Sequence, residues 1–206
     1  MNFKIASWRT LAACLALNCG VAASQPAPVA TASNPEVSAG DFAALTKQPA
    51  GVKLALENFY AKLSRNAKGI EIADDDKTQH AYVAWKLGKS APGKKYTVTV
   101  SVAKTAAPGP VAAVAIRFFA GGKATDTECN FDPSTGFSFP RGAADAKSVN
   151  VQDGGAEWRV LCSANSPAAA SEARIHIVPS IGPSFGNYDP AATGAVTVTA
   201  VEISVK

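Results

Sequence analysis

The chain has 206 residues, a formal net charge of +4 and a composition rich in Ala, Val, Thr, Gly and Pro. That length allows one domain or at most two, and the apolar share is that of a globular chain, not a disordered one. Lysines and arginines are scattered, with no cluster dense enough to imply a nucleic-acid or membrane-surface partner.

The first segment reads as an export signal. Lys4 and Arg9 precede a small apolar run over residues 11–23, and Val21-Ala22-Ala23-Ser24 supplies a small-residue cleavage pattern. The run is too short to span a bilayer. Leu11-Ala12-Ala13-Cys14 has the form of a bacterial lipoprotein box, but Arg9 leaves no apolar core ahead of it, and Leu17-Asn18 is a poor box before Cys19. The signal is placed at residues 1–24. It holds two basic and no acidic residues, so its removal lowers the net charge from +4 to +2. Residues 25–39, with Pro26, Pro28 and Pro35 and no periodicity, read as a flexible linker. Residues 40–206 are expected to form a single domain, periplasmic or secreted. Two cysteines remain there, Cys129 and Cys162. In an oxidising compartment such a pair suggests a disulfide; the alternative is two buried thiols.

Residues 52–63 are ambiguous. Val52, Leu54 and Leu56 alternate as in a strand, while Val52, Leu56, Phe59 and Leu63 fit a helical stripe. The strand reading is preferred because strands follow. Ile70 and Ile72 share a face of the next one, and Asp74-Asp75-Asp76 forms a polar turn. Residues 82–87 put Val83, Trp85 and Leu87 on one side and Tyr82, Ala84 and Lys86 on the other. Residues 91–104 give the clearest strand: Tyr96, Val98, Val100 and Val102 alternate with Thr97, Thr99 and Ser101. After Pro108-Gly109-Pro110, residues 111–119 group Val114, Ile116 and Phe118 against Arg117. Further strands carry Cys129; then Phe137 and Phe139; then Val149 and Val151; then Trp158, Val160 and Cys162; then Ile175 and Ile177, with Arg174 and His176 facing outward. A loop over residues 180–193 leads to the last strand. There the apolar register shifts from Val196 and Val198 to Val201, Ile203 and Val205, which predicts a bulge near Thr199 and Ala200. Many short strands with regularly spaced turns predict an all-β antiparallel β-sandwich, a jelly roll by preference, with at most one short N-terminal helix.

The order of several features is similar to a known group. A Pro-Gly turn precedes Tyr96-Thr97-Val98, an arginine strand spans residues 114–118, and Phe131-Asp132-Pro133-Ser134-Thr135-Gly136 follows. Next come Trp158-Arg159-Val160, a strand over residues 173–178, a Gly186-Asn187-Tyr188-Asp189 loop and a closing Val201-Glu202-Ile203. From about residue 81 onward this resembles the jelly rolls of carbohydrate-binding modules and the similar terminal domains of phage tail proteins. The resemblance implies a polysaccharide or other glycan as partner, often a structural calcium ion, and no other cofactor.

Sugars are held by aromatic platforms and a few polar side chains. Trp85 and Trp158 line up with core positions, so the ligand-binding candidates are Tyr82, Arg117, Arg174, His176 and Tyr188, with Thr97, Thr99 and Thr197 beside them if their strands join the same sheet. The bland reading of that face is a solvated sheet surface. Asp74, Asp75, Asp76, Asp132 and Asp189 are turn carboxylates without the spacing of an ion loop. Gly182-Pro183-Ser184-Phe185-Gly186 matches the G-x-S-x-G pattern of serine hydrolases, but no helix pattern follows it and both histidines precede it. Two separate histidines do not make a zinc set. The trio Arg174, His176 and Tyr188 is all the sequence offers a lyase. A glycosidase would need two of Asp132, Glu157, Asp189 and Glu202 to meet across a cleft. The expected function is non-catalytic glycan recognition outside the cytoplasm. The rivals are a structural or adhesive envelope protein and a small carbohydrate-active enzyme.

Overall fold

The computed structural model describes residues 37–49, 52, 54–144, 147–183, 185 and 188–206. The export signal, Cys14, Cys19, the linker as far as residue 36 and Ser184 lie outside the described residues. One short helix opens the described chain, α1 (Ala39–Leu45). It starts in a capping box: the Asp41 amide donates to Ser38 Oγ at 3.3 Å, and the Ser38 amide donates to the Asp41 carboxylate at 2.6 Å. Its Phe42 is fully buried, edge-on to Trp85 at 5.7 Å.

Strands follow: β1 (Thr46–Lys47), β2 (Ala55–Phe59), β3 (Lys62–Arg65), β4 (Ile70–Asp74), β5 (Tyr82–Lys89), β6 (Lys95–Ala103), β7 (Val111–Ala120), β8 (Lys123–Phe131), β9 (Ser138–Gly142), β10 (Ser148–Asp153), β11 (Glu157–Asn165), β12 (Glu172–Gly182) and β13 (Gly194–Val205). The ambiguous segment is thus two strands. One sheet runs β10–β11–β6–β13–β4–β3, with β1 added parallel to β13; the other runs β2–β5–β12–β7–β8–β9. All other pairs are antiparallel. The central orders β4–β13–β6–β11 and β5–β12–β7–β8 arise because the chain steps between sheets from β4 through to β7 and again from β11 to β13. The result is an all-β sandwich whose chain crosses repeatedly from one sheet to the other. The register of β13 against β6 slips between Val198 and Ala200, the expected bulge.

Strand alternation sends one face of each sheet into a single core. Val98, Val100 and Val102 of β6 are fully buried, as are Val114 and Ile116 of β7 and Ile175 and Ile177 of β12. Cys129 of β8 and Cys162 of β11 form a disulfide that ties the two sheets together. Trp85 lies in this core as expected. Trp158 does not fully enter it. Its ring sits half-buried at the rim, where the indole N–H donates to the Pro133 carbonyl at 3.0 Å and the Lys104 ammonium lies 4.0 Å from the ring centre. Thr97 and Thr99 on β6, and Thr197 on β13, belong to the sheet opposite Arg117 and Arg174, so they do not join that polar face.

Candidate functional site

The register of the six-stranded sheet brings separated residues into rows. Arg174 of β12 stands opposite Lys86 of β5 and Arg117 of β7, and Arg117 opposite Asp126 of β8. One row along, His176 lies between Ala84 and Ala115, followed by Glu128 and then Arg141 of β9. Ala84 is also opposite Glu57 of β2. Because faces alternate with a period of two, these residues point away from the Ile175, Ile177 and Cys129 side that packs on the other sheet. The predicted Tyr82, Arg117, Arg174 and His176 therefore share one outer face. The face has two different halves.

On the β2–β5–β12 half, rings of Phe59, Tyr82 and His176 stack in sequence, with centres 4.5 and 4.6 Å apart and planes within 20° and 13°. Two rings cannot share one side of a phenol, so both faces of Tyr82 are covered. It cannot serve as a flat platform for a sugar, contrary to the expectation from sequence. His176 is on the outer face but only 2% exposed, with neither ring nitrogen hydrogen-bonded. Burial, reinforced by the Arg117 and Arg174 charges, holds its pKa well below the usual histidine value. It is a buried ring at the end of the stack. Burial likewise pushes the Tyr82 phenol up. Arg174 is already occupied: its Nε donates to Glu172, an Nη donates to Glu57 at 3.3 Å, and its guanidinium lies 4.9 Å from the Phe119 ring centre.

On the β8–β9 half, a depression of about 210 Å³ is lined by Asp126, Glu128, Arg141, Gly142 and Tyr188. Arg117 faces both carboxylates, with Nε 3.5 Å from Asp126 and an Nη 4.0 Å from Glu128. Gly142 closes β9 at φ 106°, and a Cβ there would lie 2.1 Å from the Asp126 carbonyl oxygen, so no other residue permits this approach of strand end to pocket wall. Among the described residues the large apolar side chains left exposed are Phe137 (62%), Phe139 (53%) and Tyr188 (53%), and all three border this half. Phe139 is opposite Asn130 in the ladder. Phe137 meets Phe185 edge-on at 4.8 Å, and Phe185 packs with Tyr82 on a small cluster of Val111, Ala113, Val178 and Ile181. Tyr188 meets the His80 ring edge-on at 4.6 Å. Burial lowers the His80 pKa against the pull of Asp74 and raises that of Tyr188.

The sequence thus named Tyr188 and Arg117 and missed Asp126, Glu128, Arg141, Phe137 and Phe139. The shared face of the two phenylalanines was visible; that it points to solvent was not. Other expected groupings do not assemble. Tyr188 sits with Arg141 and Glu128, away from the Arg174 pairs, and His176 is buried, so the lyase trio is not formed. Asp132 accepts from its own turn, Glu157 accepts from Thr199, Glu202 pairs with Lys47 and Asp189 accepts from the Ala191 amide, so these four do not meet. Asp74 is buried, not a solvated turn residue, and accepts from the amides of Asp76 and Ala81. Among the described residues no group of three His, Cys, Asp or Glu side chains converges as a metal set. Asp126 and Glu128 stand two residues apart on one strand and form one wall, not the two sides of a glycosidase cleft. The arrangement suits binding: aromatic faces beside forked donors and carboxylate acceptors.

No described helix is long and apolar enough to cross a membrane. No family model and no curated protein matches the chain. Among solved structures it is similar to the enzymatically active domain of tailspike protein 4 of bacteriophage CBA120, at 11% identity and a TM-score of 0.38, over 75% of this chain and 20% of that one. This chain spans about a fifth of that protein's length.

Proposed function

We propose that the protein is an exported, non-catalytic carbohydrate-binding β-sandwich whose binding surface is the β8–β9 margin of the outer face. One observation carries this reading: exposed Tyr188 lines a depression whose other side chains are carboxylates and a guanidinium, and exposed Phe139 lies two residues along β9 from Arg141 in its wall. Solvent-exposed aromatics cost free energy unless they meet a partner, and a sugar presents an apolar ring face together with hydroxyls. The Cys129–Cys162 disulfide fits a periplasmic or secreted location.

A structural or adhesive envelope protein is the second reading, and exposed Phe139 on edge strand β9, with Phe137 just before it, favours it. Pro140 weighs against strand-to-strand association there, because it removes an amide donor from the edge. A glycan array probed with and without calcium tests the first reading. Selective binding that is lost in Tyr188→Ala and Phe139→Ala, and kept in a variant on the opposite sheet such as Thr99→Ala, supports it. Binding to no glycan in either condition overturns it in favour of a protein partner. Binding only with calcium adds a structural ion to the same reading.

A further inference from the structure

The two arginines of the outer face differ in one respect that bears on the ligand. Arg174 has its donors engaged by Glu172 and Glu57 and its plane set against Phe119. Arg117 faces Asp126 and Glu128 at 3.5 and 4.0 Å, beyond good hydrogen-bonding distance. Neither its Nε nor the Asp126 Oδ1 has a hydrogen-bond partner, although both are shielded from solvent. Around the depression two cations, Arg117 and Arg141, offset two anions, Asp126 and Glu128. Asp74, behind His80, is buried with both oxygens accepting from backbone amides. The depression's lining together with the Arg117 that faces it is therefore neutral in sum, while these guanidinium donors and carboxylate acceptors keep free hydrogen-bonding capacity.

Taking carbohydrate recognition as given, we infer that the ligand is an uncharged polyol, a chain of neutral sugar units, and not a uronate or a sugar bearing a free amine. A ring hydroxyl both donates and accepts, so neighbouring hydroxyls can bridge an Arg117 or Arg141 N–H to an Asp126 or Glu128 oxygen. A sugar carboxylate would meet Asp126 and Glu128 at short range, and a sugar ammonium would meet Arg117 and Arg141. Like charges at such distances repel strongly where water is partly excluded. Tyr188 and Phe139 supply the apolar faces for the rings.

The test compares matched polymers by affinity electrophoresis or calorimetry on the intact protein: mannan with polymannuronate, galactan with polygalacturonate, and chitin oligomers with chitosan oligomers. The expected result is binding to a neutral member, at least about tenfold tighter than to its charged counterpart, with little change from low to high salt because no net charge is neutralised. Arg141→Ala, at an exposed position, weakens that binding by about tenfold or more through loss of a charge-assisted bond. Arg174→Ala leaves it within about threefold, a difference worth well under the tenfold step. Tighter binding to a uronate or to chitosan overturns the inference and leaves carbohydrate recognition standing. Equal loss in both arginine variants overturns the division between them. Binding to no polymer overturns the recognition reading itself.

Discussion

His176 lies in a strand whose neighbours Arg174 and Ile175 follow the expected in–out alternation, yet it is buried on the outward side. Tyr82 covers it from β5, and the alanines flanking it at positions 84 and 115 leave room for the ring to lie low. Its consequence is acid sensitivity. The unfolded chain protonates this imidazole at about pH 6.5, whereas the folded protein resists protonation until well below that value. Between those two limits the unfolded state binds more protons, so stability is full above pH ~6.5 and falls as the pH drops below it. His80, lowered by burial, adds in the same direction. Urea midpoints followed from about pH 8 to about pH 5 should be level and then decline, ahead of the range in which ordinary carboxylates titrate. His176→Phe keeps a ring under Tyr82 and should remove most of the decline; an identical decline in the variant would mean that the imidazole is not held neutral.

The hairpin of β8 and β9 is the element that makes the depression, and its geometry hangs on Gly142. At φ 106°, with the Asp126 carbonyl where a Cβ would go, this position combines backbone strain with a backbone clash. Gly121 in the β7–β8 turn has φ 54° and open space around it. Gly121→Ala should therefore cost about 1–2 kcal/mol, the left-handed penalty alone. Gly142→Ala should cost more, roughly 3 kcal/mol, because a main-chain atom must also move. It should also weaken glycan binding, which Gly121→Ala should not. Chemical denaturation of both variants beside one binding titration checks the pair. Equal destabilisation with intact binding would show that β9 can shift without cost to the site. The sequence announced this hairpin only as one strand carrying Cys129 and a next one carrying Phe137 and Phe139. It could not say that β9 would end against the Asp126 wall, because that depends on the two-strand register and not on either segment alone.

At the scale of the molecule a disulfide, Cys129–Cys162, cross-links the two sheets, its ends 33 residues apart in the chain. In the chain-entropy picture, opening a loop of this size destabilises by about 3–4 kcal/mol. Cys129→Ala with Cys162→Ala should therefore lower the unfolding free energy by that order, and reductant should do the same to the parent protein but not to the double variant. A parent insensitive to reductant would argue against the bond. The sequence by itself determined the all-β class, the one short helix allowance, the alternation of Tyr96 to Val102 and of Val114 to Phe118, the cysteine pairing and the bulge at Thr199–Ala200. Each of these rests on local periodicity or on counting, and local signals survive without a fold. The tertiary structure decided the rest. It separated Thr97, Thr99 and Thr197 from the arginine face, because sheet membership follows strand order rather than composition. It sandwiched Tyr82 between Phe59 and His176, and it brought Arg141, Glu128 and Tyr188 to one depression. Those residues come from a strand edge, a strand centre and a loop, and their meeting depends on cross-strand register and chain crossover, which no single segment encodes.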